Sequence, residues 1–159
     1  MRRRSFIGGL TVTATLAPLH AVFARDDAEE AVEFVRTVYR QQADAHNNRT
    51  RNPEFLSLFT EEVAELYRAP PRPDVPEGPT LNIFFGGGVL PPHPVTFEGI
   101  IGVAGEREPF IVKVAVTVRG ARHRFDVYVV RQSGRWRISN IVYDAGRDFV
   151  SFLRWLSGR

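Results

Sequence analysis

The chain contains no cysteine among its 159 residues. No disulfide braces it, no thiolate is available as nucleophile or metal ligand, and the lipidated cysteine of a bacterial lipoprotein is missing. Beyond residue 24 there is no apolar run long enough for a transmembrane helix, so no membrane span is expected there. Histidine is sparse as well. His46, His93 and His123 lie in three separate regions without paired helical spacing, and no metal site or cofactor is expected. Serines 57, 133, 139 and 151 occupy no Gly-x-Ser-x-Gly elbow, which argues against a nucleophilic triad. Gly86-Gly87-Gly88 has no following lysine and no flanking strand-to-helix pattern, so it reads as a turn or hinge rather than a phosphate loop.

What is present begins at the N-terminus. Arg2-Arg3-Arg4-Ser5-Phe6-Ile7 opens an apolar stretch that runs to Val22, and Val22-Phe23-Ala24 sets small residues before a cut after Ala24. A charged start, a mildly apolar middle and a small-residue end make an export signal over residues 1–24. With Arg3 and Arg4 as the paired arginines, it resembles the twin-arginine class, whose cargo crosses the bacterial inner membrane already folded; an ordinary arginine-rich secretory signal is the alternative. The expected location is therefore the periplasm or outside the cell.

The signal also explains the basic pI. It carries three arginines and no acid, so of the 21 basic and 18 acidic residues the remaining 135 positions hold 18 of each. A nucleic-acid-binding reading loses its basis. The charge is nonetheless uneven: residues 25–106 are net −7 and residues 107–159 net +7. Such asymmetry marks either a binding face or two halves that complement each other within one fold, and the second reading is favoured.

Residues 25–159 are enough for one domain. From Asp26 to Asp44, Ala28, Ala31, Val32, Val35, Val38 and Tyr39 recur at helical spacing, with acids in the first turns. Pro53 opens a second helical stretch, and Thr60 caps a short helix from Glu61 to Tyr67. Residues 69–95 hold eight of the eleven prolines and no regular element, though Leu81, Ile83, Phe84 and Phe85 should anchor the middle against apolar surface. From Thr96 the period switches to two, giving strands Thr96–Ala104, Phe110–Arg119, Arg122–Arg131 and Arg135–Tyr143, then a helix Asp148–Leu156. The expected class is α+β: N-terminal helices packed on a strongly curved four-stranded antiparallel meander, with a short C-terminal helix.

Phe110, Val112, Val114, Val116, Val118, Phe125, Val127 and Val129 share one face of the two central strands. Exposing them would cost roughly 1.5–3 kcal/mol each, so that face must meet the helices. Lys113, Thr117, Arg119, Arg124, Asp126 and Tyr128 then point outward, leaving nothing in these strands to move a proton inside the hollow. This argues for no catalytic residues. On the last strand, Asn140, Tyr143 and Asp144 are the candidate pocket polars, with strand-end hydrogen bonding as their plainer role. A bulge near Ser139 would turn Ile141 inward. A dry hollow filled by Trp136, Phe149 and Trp155 would favour binding or a purely structural fold, whereas a converging Asp–His or Asp–Tyr–Arg group would favour an enzyme. Arg119, Arg122, Arg124, Arg135 and Arg137 should cluster on the outer face, where guanidinium forks suit an anionic envelope component or an acidic protein; the plainer and favoured reading is a solvated sheet face partly paired with Asp126.

Gly134-Arg135-Trp136-Arg137-Ile138-Ser139-Asn140-Ile141, a glycine turn into Trp-Arg-Ile on the last strand of a meander, resembles the closing strand of nuclear-transport-factor-like (cystatin-like cone) domains. More narrowly, about 130 residues are similar to the small exported bacterial proteins grouped as domain-of-unknown-function family 3828. The opening helix with Val35-Arg36-Thr37-Val38-Tyr39, the Phe55–Leu66 helical pair and the C-terminal helix belong to the same pattern. The resemblance implies helices filling the hollow of a bent sheet, and it supplies no established catalytic residues. Family members tend to carry acids where this chain has Asn82-Ile83-Phe84-Phe85-Gly86-Gly87-Gly88, so no role resting on those acids carries over. The function expected is that of an exported, non-catalytic accessory domain binding an unknown protein, an anionic envelope component or an apolar small ligand. The rival is a small cone-fold isomerase, dehydratase or hydrolase acting on an apolar molecule.

Overall fold

The computed structural model describes residues 19–50, 52–75, 83–86 and 93–159. Arg3 and Arg4, the apolar stretch up to residue 18, and Leu81, Asn82, Gly87 and Gly88 lie outside the described residues. The order of elements is α1 (Leu19–Asn47), a 3₁₀ turn Phe55–Leu58, α2 (Glu61–Arg68), a 3₁₀ turn Ile83–Phe85, four strands, a 3₁₀ turn Asp144–Gly146 and α3 (Phe149–Ser157). The strands are β1 (Val95–Ala104), β2 (Phe110–Val118), β3 (Ala121–Gln132) and β4 (Arg135–Val142), paired antiparallel in the order β1-β2-β3-β4. The protein is thus α+β, with helices ahead of a curled meander and a short helix after it.

Alternation fixes the sheet's two faces. Phe110, Val112, Val114, Val116 and Val118 from β2 are buried with Phe125, Val127 and Val129 from β3, and Ala31, Val35, Val38 and Tyr39 of α1 join the same core. On the far side Lys113 stands opposite Asp126 and pairs with it at 2.9 Å. A register shift at Tyr128/Val129 places Ile138 opposite Val129 and Ile141 opposite Val127, and both isoleucines are fully buried. The extra residue, Ser139, gives its hydroxyl to the carbonyl of Tyr128.

Two boundaries differ from expectation. Helix α1 starts at Leu19 rather than Asp26 and runs through Ala24, since no breaker lies between Pro18 and Asn47. The stretch after Pro53 is a single 3₁₀ turn rather than a helix, its Phe59 bridging to Ile138 at the edge of β4. The uneven charge resolves within the fold. Arg131 holds Asp27 and Glu30, Arg122 holds Glu98, and Arg154 holds Glu62, each pair joining the basic and acidic halves.

Candidate functional site

At the end of β4 the chain reverses. Val142 bridges to Asp148, Tyr143 N–H donates to the carbonyl of Arg147 at 2.8 Å, and Gly146 takes φ +75°, which favours glycine. Asp148 then caps α3 by accepting the Ser151 N–H at 2.8 Å. Asn140 stitches this corner together. Its Oδ1 accepts the N–H groups of Ile141 (2.9 Å) and Val150 (3.1 Å), and its Nδ2 donates to Asp148 Oδ1 (3.1 Å). The plainer role expected for Asn140 is the one it fills.

The corner faces the 3₁₀ turn Ile83–Phe85, whose three side chains are buried. Phe84 sits among rings, edge-on to Tyr39 (5.4 Å) and to Phe55 (6.0 Å). Tyr143 Oη donates to the carbonyl of Ile83 at 2.8 Å, and its ring meets Phe125 edge-on at 5.4 Å. Between turn and helix opens a half-enclosed groove of about 340 Å³. Ile83 and Gly86 form one wall; Tyr143, Gly146, Arg147 and Asp148 lie along the base; Phe149, Ser151, Phe152 and Trp155 of α3 form the other wall. A mostly apolar concavity with a few polar groups at one end is the ordinary form of a small-molecule site.

The electrostatics are simple. Burial, reinforced by the charge of Asp148, holds the Tyr143 phenol protonated well above its ordinary range. At Asp148 partial burial pushes upward, but hydrogen bonds from Ser151, Asn140 and Val150 together outweigh it and keep the carboxyl below the usual carboxylate range. Arg147 has no carboxylate partner among the described residues. Trp155, set beside Phe152 with centroids 5.8 Å apart, is 53% exposed.

Of the candidate pocket polars, only Tyr143 lines the groove. Asp144 points to the other side of its turn, where its carboxylate meets His123 Nδ1 at 3.1 Å and the N–H of Arg124 at 3.3 Å. Arg147, Asp148 and Trp155 were not among the candidate site residues. Trp155 lies off the Phe149–Phe152–Leu153–Leu156 stripe of its helix, a signal that was present in the sequence. It does not fill the hollow, whereas Phe149 is buried and Trp136 is partly buried against Phe110 and Arg131.

The arginine cluster does not form. Arg122 is opposite Thr117 near one end of β3, while Arg137 and Arg135 are opposite Val130 and Gln132 near the other. Arg124 and Val130 are six positions apart on β3, about 20 Å at the rise of a strand. Arg119 sits in the β2–β3 turn, and Arg122 is engaged by Glu98 at 2.6 Å. The reason is antiparallel geometry: hairpin strands put their sequence-distant ends together and their basic starts apart.

His46 and His93, distant in sequence, are neighbours, with His46 Nε2 3.0 Å from the His93 carbonyl oxygen. Among the described residues no three histidine, cysteine or acidic side chains are grouped to hold a metal ion, and no helix is long and apolar enough to cross a membrane. No protein-family model, curated protein or solved structure matches the chain.

Proposed function

We propose that this is an exported, non-catalytic accessory domain that holds an apolar-bodied ligand in the groove between the Ile83–Phe85 turn and α3. One observation carries the reading: Trp155, the largest apolar side chain of α3, stands 53% exposed at the lip of a concavity otherwise walled by Ile83, Phe149 and Phe152. Apolar surface that continues from an exposed aromatic into a concavity marks a contact surface, whereas a single exposed ring on a convex face would not. The wholly apolar inner face of β2 and β3 supports a binding rather than a catalytic role. Helices against a curled meander support the cone-domain resemblance, which belongs to the same proposal, as does export by the paired arginines.

The enzyme reading has one observation in its favour, the His123–Asp144 pair. That pair lies outside the groove lining, so it ranks second. Native mass spectrometry of the protein purified from its own cells tests the proposal. A bound small mass, lost in Trp155→Ala with unchanged circular dichroism, is expected. A ligand-free protein that also fails to bind apolar probes would overturn it.

A further inference from the structure

The groove has two ionic side chains, and they are not equivalent. Asp148 Oδ1 accepts from Ser151 N–H and Asn140 Nδ2, and its negative charge lies at the positive end of α3. That carboxylate is occupied in holding the corner together. Arg147 is exposed, lines the same groove, and has no carboxylate or carbonyl acceptor for its guanidinium among the described residues. At the N-terminus of α3 the N–H groups of Val150 and Ser151 are already taken by Asn140 and Asp148, which leaves the guanidinium as the stronger donor to an anion in the groove.

Resting on the groove reading above, the geometry points to a small amphipathic anion as the ligand: an apolar body of about a dozen heavy atoms against Phe149, Phe152 and Trp155, with a carboxylate on the Arg147 fork. The volume, about 340 Å³, suits a body of that size. A planar guanidinium offers two parallel N–H donors to a carboxylate, which a lone ammonium does not. The other polar groups on the lining, the Ser151 hydroxyl and the Tyr143 phenol, are neutral, and the phenol is engaged with Ile83.

Isothermal titration with three isosteric probes tests this: phenylbutyrate, its neutral amide, and the corresponding amine. Phenylbutyrate is expected to bind about tenfold more tightly than the amide, the worth of one charge-assisted hydrogen bond, and the amine more weakly still. Arg147→Gln should erase the preference, bringing phenylbutyrate and amide affinities together, and Arg147→Lys should restore part of it. Equal binding of all three probes overturns the anion inference and leaves the groove reading standing. Tightest binding of the amine overturns it in favour of Asp148. Binding of none overturns both.

Discussion

Tyr143 donates its phenolic hydrogen to the backbone carbonyl of Ile83 at 2.8 Å, joining the residue that follows β4 to a segment sixty residues earlier. That bond holds the Ile83–Phe85 turn against the sheet, and so holds one wall of the groove. Tyr143→Phe removes the donor and leaves a largely buried carbonyl without it. The expected loss is about 1–2 kcal/mol, measured by urea denaturation. Weakened ligand binding should accompany it, because the wall loosens.

Tyr39 presents the opposite case. It is fully buried, and its Oη has no hydrogen-bond partner among the described residues, as is true of Gln42 Nε2 one turn on. A buried unpaired hydroxyl is destabilising, so Tyr39→Phe should raise stability by about 1 kcal/mol at neutral pH. An unchanged or lower midpoint in denaturant would show that the hydroxyl has found a partner.

The two tyrosines together set an alkaline limit. Burial, with a smaller contribution from Tyr143, raises the Tyr39 pKa, and burial with the charge of Asp148 raises that of Tyr143. The folded protein therefore keeps both protons where the unfolded chain loses them. Their stabilisation is complete below the unfolded tyrosine pKa of about 10 and declines as pH rises past it, by about 1.4 kcal/mol per pH unit for each tyrosine. Thermal melts between pH 9 and about 11.5 should show this slope, and Tyr39→Phe should roughly halve it.

Asn47 closes the start of an open sheet edge. Its side-chain amide exchanges two hydrogen bonds with Val95, donating to the carbonyl and accepting the N–H, each at 2.9 Å, as a neighbouring strand would. Asn47→Ala should cost about 1–2 kcal/mol. It should also speed hydrogen exchange at the start of β1 selectively, since a strand edge stripped of its partner exchanges with water.

Much of this architecture was legible in residue order. β2 and β3 alternate cleanly because each has one face on the core and one in water, and the bulge at Ser139 follows from Ile138 and Ile141 both being apolar at odd spacing. The start of α1 was harder to read, because Leu19–Phe23 serves equally as the end of an apolar signal and as helix. The groove was legible only in part. Of the three polar residues at the strand end only Tyr143 lines the groove, and nothing in the residue order separates it from Asn140 and Asp144. Which way each side chain points depends on the turn at Gly146 and on where Ile83–Phe85 inserts, and neither leaves a local periodic trace. Asp148 with Ser151 three residues later carries an N-cap signature, and Trp155 off its helix stripe carries an exposure signature. Both are visible once the helix's buried side is known.

Amide chemical-shift mapping with the neutral phenylbutyramide locates the bound ligand without relying on charge. Perturbations are expected only at residues 83–86 and 143–155, with the Trp155 indole among the largest. Perturbations on the outer face of β2 and β3 around Lys113 and Asp126, or none anywhere, would contradict a ligand site in the groove.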